Sequence, residues 1–119
     1  MSNAPGDVLE QLFDTLQARR SADPAQSYVA SLYAKAPDGI LKKIGEEAAE
    51  TIIAAKTVER GNMGEADRAA LIHEIADLWF HTLVLMAAYD LPLQALTDEL
   101  ARRQGRSGHD EKASRGGSK

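Results

Sequence analysis

Residues 71–86 read LIHEIADLWFHTLVLM. At about 100° per residue, apolar side chains cover nearly the whole circumference of such a helix. Leu71, Ile75, Leu78, Thr82 and Leu85 take one side, Trp79, Leu83 and Met86 another, and Phe80 and Val84 a third. A helix apolar all round is buried, at the centre of a bundle or against a second subunit. Glu74 and Asp77 interrupt it three residues apart, so both project from one side. Buried carboxylates need partners, because an isolated buried charge is very costly.

The matching acids lie upstream, in Lys42-Lys43-Ile44-Gly45-Glu46-Glu47-Ala48-Ala49-Glu50. Between Glu50 and Glu74 stand 23 residues, among them the helix stop Gly61-Asn62 and a further Gly64. That spacing reads as a helical hairpin, which sets the two acidic pairs facing each other at similar height. On the first helix, Leu41, Ile44, Ala48, Ile52 and Ala55 form an apolar stripe expected to face the core. Lys43, Glu47, Glu50 and Ala54 border that stripe, and Glu46 lies further round. Ile53 points away from it, toward an expected homodimer interface with Trp79, Leu83 and Met86 of the second helix.

Outside the hairpin, Val8, Leu9, Leu12, Phe13 and Leu16 recur at helical spacing in 7–20, and Asp7 with Glu10 resembles a capping box. Ser21-Ala22-Asp23-Pro24 breaks that helix. A short helix is expected from Ser27 to Lys35, a long one capped by Asp38 and ending near Arg60, a second long one from about Glu65 to Tyr89, and a last one from Pro92 to about Gln104. The domain expected is therefore 7–104, after a short start at 1–6 and before a polar, flexible tail at 105–119. Composition agrees with an all-α small bundle built on two long central helices: 20 Ala and 13 Leu stand against 4 Val, 6 Ile and 5 Thr.

Charge and cysteine content remove several classes of function. A net charge of −4 without a basic stripe argues against nucleic acid or an anionic membrane as partner. The absence of cysteine excludes a disulfide framework, a thiolate zinc site and a cysteine nucleophile, and fits a cytoplasmic location. The longest nearly apolar run, Leu78 to Ala88, is 11 residues, too short to span a bilayer.

Four or five carboxylates facing one another would raise their own pKa values and protonate unless a cation joined them. Hard oxygen donors without cysteine or clustered histidine select Mg²⁺, or Mn²⁺, over zinc. Mg²⁺ held by carboxylates usually takes phosphate oxygens as further ligands, so metal-assisted chemistry on a polyphosphate is the reaction class. A di-iron bundle would need Glu-x-x-His pairs, and no Glu here has His three residues later.

Glu-x-x-Glu followed by Glu-x-x-Asp on paired helices resembles the MazG-like all-α nucleoside triphosphate pyrophosphohydrolases. Ser27-Tyr28-Val29-Ala30-Ser31-Leu32, the Lys-Lys-x-Gly run at 42–45, Ala54-Ala55-Lys56 and the segment Glu74 to His81 narrow the resemblance to the phosphoribosyl-ATP pyrophosphatase family. The resemblance implies hydrolysis of phosphoribosyl-ATP to phosphoribosyl-AMP and pyrophosphate by attack of water at the α-phosphorus, the second step of histidine biosynthesis, in a homodimer. By matching position it implies Glu47, Glu50, Glu74 and Asp77 as metal ligands, and Glu46 as the group that orients or deprotonates water. Lys43 and Lys56 would compensate phosphate charge, with a solvated helix lysine as the alternative. Ser27 and Tyr28 would contact ribose or phosphate, against the alternatives of a helix cap and a packing aromatic. His81, one turn after Asp77, would touch the site or serve as a hydrogen-bonded core histidine. Arg102 would reach the pyrophosphate, although Arg102 and Arg103 near a helix C-terminus need no ligand to explain them.

The tail segment Glu111-Lys112-Ala113-Ser114-Arg115 resembles some family members. Lys112 and Arg115, three apart, would face the phosphates together if a turn formed on binding. Two rival functions share these features. One is a housecleaning NTP or dNTP pyrophosphatase with the same metal site; the other is a non-enzymatic helical dimerisation module whose acids pair with lysines.

Overall fold

The computed structural model describes residues 4–61 and 64–105. These residues form five α-helices and no strand: α1 (Pro5–Ala18), α2 (Tyr28–Ala34), α3 (Asp38–Arg60), α4 (Glu65–Ala88) and α5 (Leu93–Arg103). A single 3₁₀ turn, Arg19–Ser21, closes the end of α1. The all-α bundle with two long central helices expected from the sequence is the observed architecture. The antiparallel pair α3–α4 is its frame; α1 and α2 lie across α4, and α2 also touches α3.

Helix starts differ from the expected ones for a backbone reason. α1 begins at Pro5, two residues early, because proline's fixed φ suits the first helical turn, where its missing N–H costs nothing. Asp7 therefore sits inside the first turn, and Ala4 takes the N-cap position. α3 follows so closely on α2 that backbone carbonyls do the capping. Gly39 N–H donates to the Lys35 carbonyl at 2.8 Å and Leu41 N–H to the Pro37 carbonyl at 2.9 Å. Asp38 is thus the first helical residue rather than the cap, placed where a negative charge favours the helix dipole. At α5, Pro92 is the extended residue before the helix, which starts at Leu93. Ser27 does cap α2: its hydroxyl accepts from Ala30 N–H at 3.2 Å.

The core gathers Phe13 and Leu16 of α1, Leu32 of α2, Ile40 of α3, and Leu83, Val84 and Ala87 of α4. Polar ties hold the outer helices on it. The Tyr33 hydroxyl donates to the Leu16 carbonyl at 2.7 Å, joining α2 to α1. Arg20 pairs with Asp90, a residue of positive φ in the turn between α4 and α5. By length and composition α4 is long and apolar enough to cross a membrane, with an 18-residue stretch of mean hydropathy 1.3. It serves here as the central helix of the bundle, and carries half-buried Glu74 and Asp77 along its length.

The stripe of α3 that faces the bundle is only partly the expected one, keeping Ile44 and Ala48. Ile40, Glu47 and Val58 are buried, with Lys43, Ile44, Ala48, Thr51 and Ala54 half-buried around them. Leu41 at 47% and Ile52 at 65% are exposed. The rotation brings Glu47 fully inward. In α4, two residues of the face expected to meet a second copy differ in burial: Leu83 is buried and Trp79 is 57% exposed.

Two neighbouring residues of α3 therefore carry opposite stability. Ile40→Ala should cost about 2–5 kcal/mol in denaturant unfolding. Leu41→Ala should change stability by about 0.5 kcal/mol or less. The reverse order would place the core on the Leu41 stripe.

Candidate metal centre

The α3–α4 hairpin puts Glu47, Glu50 and Glu74 together, with one carboxylate oxygen of each lying within 4.8 Å of the others. Glu47 is the innermost, only 5% exposed, and its Oε2 is buried without a hydrogen-bond partner. Its Oε1 meets the Lys43 ammonium at 3.3 Å. The same ammonium lies 3.5 Å from Oε1 of Glu46, which sits more exposed at the lip. Burial alone would lower the Lys43 pKa; the hydrogen bond it donates to Glu47 and the charge of that carboxylate override this and hold the ammonium above its ordinary value. Glu50 is pushed up from the usual carboxylate range by the adjoining Glu47 first and by Glu74 with it. One lysine does not neutralise three carboxylates.

A second group overlaps the first. His73, Glu74 and Asp77 also offer ligand atoms within 4.8 Å of one another, so Glu74 belongs to both groups. The His73 Nε2 lies 3.2 Å from Asp77 Oδ2. His73 stands outside the Glu-x-x-Asp spacing, so that motif does not mark it. The available signal was its position four residues before Asp77, one turn away on the same face. Asp77 thus shares a group with Glu74 and His73, rather than with Glu47 and Glu50.

The donor set fits a hard divalent cation. Carboxylate oxygens predominate, one of them is buried and unpartnered, and the like charges already act on one another. An acidic cluster of this kind can hold a metal ion.

The remaining sequence candidates divide. Tyr28 stands at the rim: its hydroxyl lies 2.8 Å from His81 Nε2, and the charges of Lys43, Glu47, Asp77 and Glu46 act on it. Burial is the first cause that raises its pKa, so the phenol keeps its proton at neutral pH. His81 is buried at 5% exposure, with Nδ1 2.7 Å from the Asp77 carbonyl. Ser27 spends its hydroxyl on the α2 cap. Lys56 is exposed and pairs with Glu59 at 2.6 Å, outside the carboxylate groups. Arg102 and Arg103 both bind Glu99, at 2.6 and 3.0 Å, and together lower its pKa to about 2, Arg102 contributing first. Lys112 and Arg115 lie outside the described residues. Nothing in the structure explains Gly45, whose missing Cβ would meet no neighbour.

Comparison with known proteins places this geometry. Residues 9–104 match the family described as phosphoribosyl-ATP pyrophosphohydrolase. A phosphoribosyl-ATP pyrophosphatase of Chromobacterium violaceum is 52% identical over 109 residues, covering 92% of this chain and 94% of the relative. Its counterpart in Ralstonia nicotianae is 48% identical over 92% of this chain and 90% of its own length. That of Hydrogenovibrio crunogenus is 50% identical over 97% and 96%. With an acidic hairpin of this form and likeness along almost the whole chain, the protein belongs to the phosphoribosyl-ATP pyrophosphohydrolase family.

Proposed function

We propose that this protein hydrolyses phosphoribosyl-ATP to phosphoribosyl-AMP and pyrophosphate, the second step of histidine biosynthesis, and does so in the cytoplasm. The substrate follows from relatives about half identical along nearly their whole length. The chemistry rests on one observation above the others: a carboxylate oxygen of Glu47 is buried, unpartnered and beside two further glutamates. Such an arrangement is costly by itself and becomes favourable around a cation.

Glu47, Glu50 and Glu74 would hold Mg²⁺, or Mn²⁺, with Asp77 joining through the group it shares with Glu74. A divalent cation there supplies Lewis-acid polarisation of phosphate oxygens and makes water more acidic. Glu46, at the lip and outside both ligand groups, takes the proton as water attacks the α-phosphorus. The bond from that phosphorus to the bridging oxygen breaks, and pyrophosphate leaves. Lys43, already between Glu46 and Glu47, adds positive charge beside the reacting phosphates and holds Glu46 in place.

A second copy of the chain completes the bundle in this reading. Trp79 is 57% exposed and Ile72 65% on α4, with Leu100 54% on α5 and Ile53 65% on α3. Two apolar hollows, about 330 and 320 Å³, meet along Leu9, Trp79 and Leu83. The first separates α4 from α5, leaving a cleft that an identical α4 can fill. Apolar area of this kind is ordinarily covered in an obligate dimer.

Glu50→Gln should lower turnover at least about a hundredfold, as losses of metal-site groups do. Because the folded pKa of Glu50 is raised, the stability linked to it is full below the unfolded carboxylate pKa and is lost as pH rises through the folded value. In EDTA, Tm of the wild type should therefore fall as pH rises out of the carboxylate range, and Glu50→Gln should flatten that slope. A Glu50→Gln enzyme with wild-type turnover contradicts the site. For the assembly, sedimentation at micromolar concentration should give a dimer, and Trp79→Glu should dissociate it. A folded, active wild-type monomer contradicts the dimer.

A further inference from the structure

The two oxygens of the Glu47 carboxylate stand in different surroundings. Oε1 lies 3.3 Å from the Lys43 ammonium. Oε2 is buried without a hydrogen-bond partner. The helix itself makes this division. Lys43 stands four residues before Glu47 on α3, one turn away. Helical side chains lean toward the N-terminus, so the carboxylate leans back onto the lysine. A lysine placed before its glutamate is the less stabilising order for a helix, so helix stability is a poor reason for the pair.

The ammonium has an anchor of its own. It lies 3.5 Å from Oε1 of Glu46, and Glu46 belongs to neither group of candidate ligands. An ammonium has three N–H donors, so it can serve both carboxylates at once. A cation held by Glu47, Glu50 and Glu74 therefore need not displace it. Glu47 then has one oxygen to give. A second contact, to Oε1, would set the divalent ion against the ammonium, a like charge at close range.

How many oxygens each carboxylate gives decides which ion fits. Ca²⁺ takes roughly six to eight oxygens at about 2.3–2.6 Å and readily accepts both oxygens of one carboxylate. Mg²⁺ demands an octahedral shell at about 2.0–2.1 Å, and Mn²⁺ shares the octahedral preference. One oxygen from each of Glu47, Glu50 and Glu74 fills half of an octahedron and leaves half for water and phosphate. We propose that Lys43 is a positioning residue that holds Glu47 to one oxygen and so selects a small octahedral cation against Ca²⁺. This rests on the metal-dependent reading of the site, and adds to it a device for choosing the ion.

The test is calorimetry of Mn²⁺ and of Ca²⁺ on the full chain without substrate. The wild type should bind Mn²⁺ more tightly than Ca²⁺. Lys43→Met keeps an apolar stem, removes the donor, and should narrow that preference about tenfold, as loss of a group that orients a ligand does. Removing a positive charge favours both divalent ions alike, so the ratio of the two affinities reads geometry and not charge. Lys42→Met removes the same charge from an exposed neighbour and should leave the ratio within about twofold of wild type. A ratio unchanged in Lys43→Met, or moved as far by Lys42→Met, would overturn the proposal, as would a wild type without preference. A crystal structure of the wild type with Mn²⁺ tests the same point without a variant. Glu47 should reach the ion through one oxygen and keep Lys43 on the other; both oxygens on the ion would overturn the proposal. A wild type that binds neither ion contradicts the metal site itself, and the proposal with it.

Discussion

Like charges held together across a helical hairpin are the constraint on which the rest of this molecule depends. Glu47 is pressed inward with one oxygen unpartnered, and Glu50 and Glu74 close on it from α3 and α4. Protein interiors seldom leave a buried carboxylate oxygen without a partner. Here Glu47 first, and Glu74 with it, push the Glu50 pKa above the usual carboxylate range. The rigid α3–α4 pair bears it, and the cost is compensated where a cation brings the carboxylates a shared partner. Stability of the bundle and competence of the site therefore pull in opposite directions at these three residues.

The same hairpin explains how the rim is organised. Lys43 lies one turn before Glu47 and divides its charge between Glu46 and Glu47. Asp77 contributes twice, through its carboxylate beside His73 and through its carbonyl, which orients His81. Tyr28 is carried to the rim by a two-turn helix whose cap is the preceding serine. A short helix of that length has little stability of its own. It is held by Leu32 in the core and by the Tyr33 hydroxyl on the end of α1.

Helix order, the hairpin and the partners Glu47, Glu50 and Glu74 were legible in the sequence, because two carboxylates three apart in an otherwise apolar helix admit few other arrangements. Which stripe of α3 faces inward was not. Leu41 and Ile52 look like core residues on a helical wheel, but they are exposed, and the buried line runs through Ile40, Glu47 and Val58. Hydrophobicity alone misreads a helix whose inward line contains a buried glutamate. The cap signal at Asp38 misplaced a helix start for a related reason: carbonyls of the preceding turn already accept from the first N–H groups of α3. His73 lies outside the Glu-x-x-Asp motif, and its nearness to Asp77 shows only in the fold. The bond from Tyr28 to His81 spans 53 residues, and no local pattern announces it.

The most direct measurement is a crystal structure grown with Mn²⁺, read at a wavelength where manganese scatters anomalously. A peak bounded by Glu47, Glu50 and Glu74, with the buried Glu47 oxygen turned to it, is the result this account predicts. A Glu47 carboxylate still paired only with Lys43, and no anomalous peak within the hairpin, would contradict it.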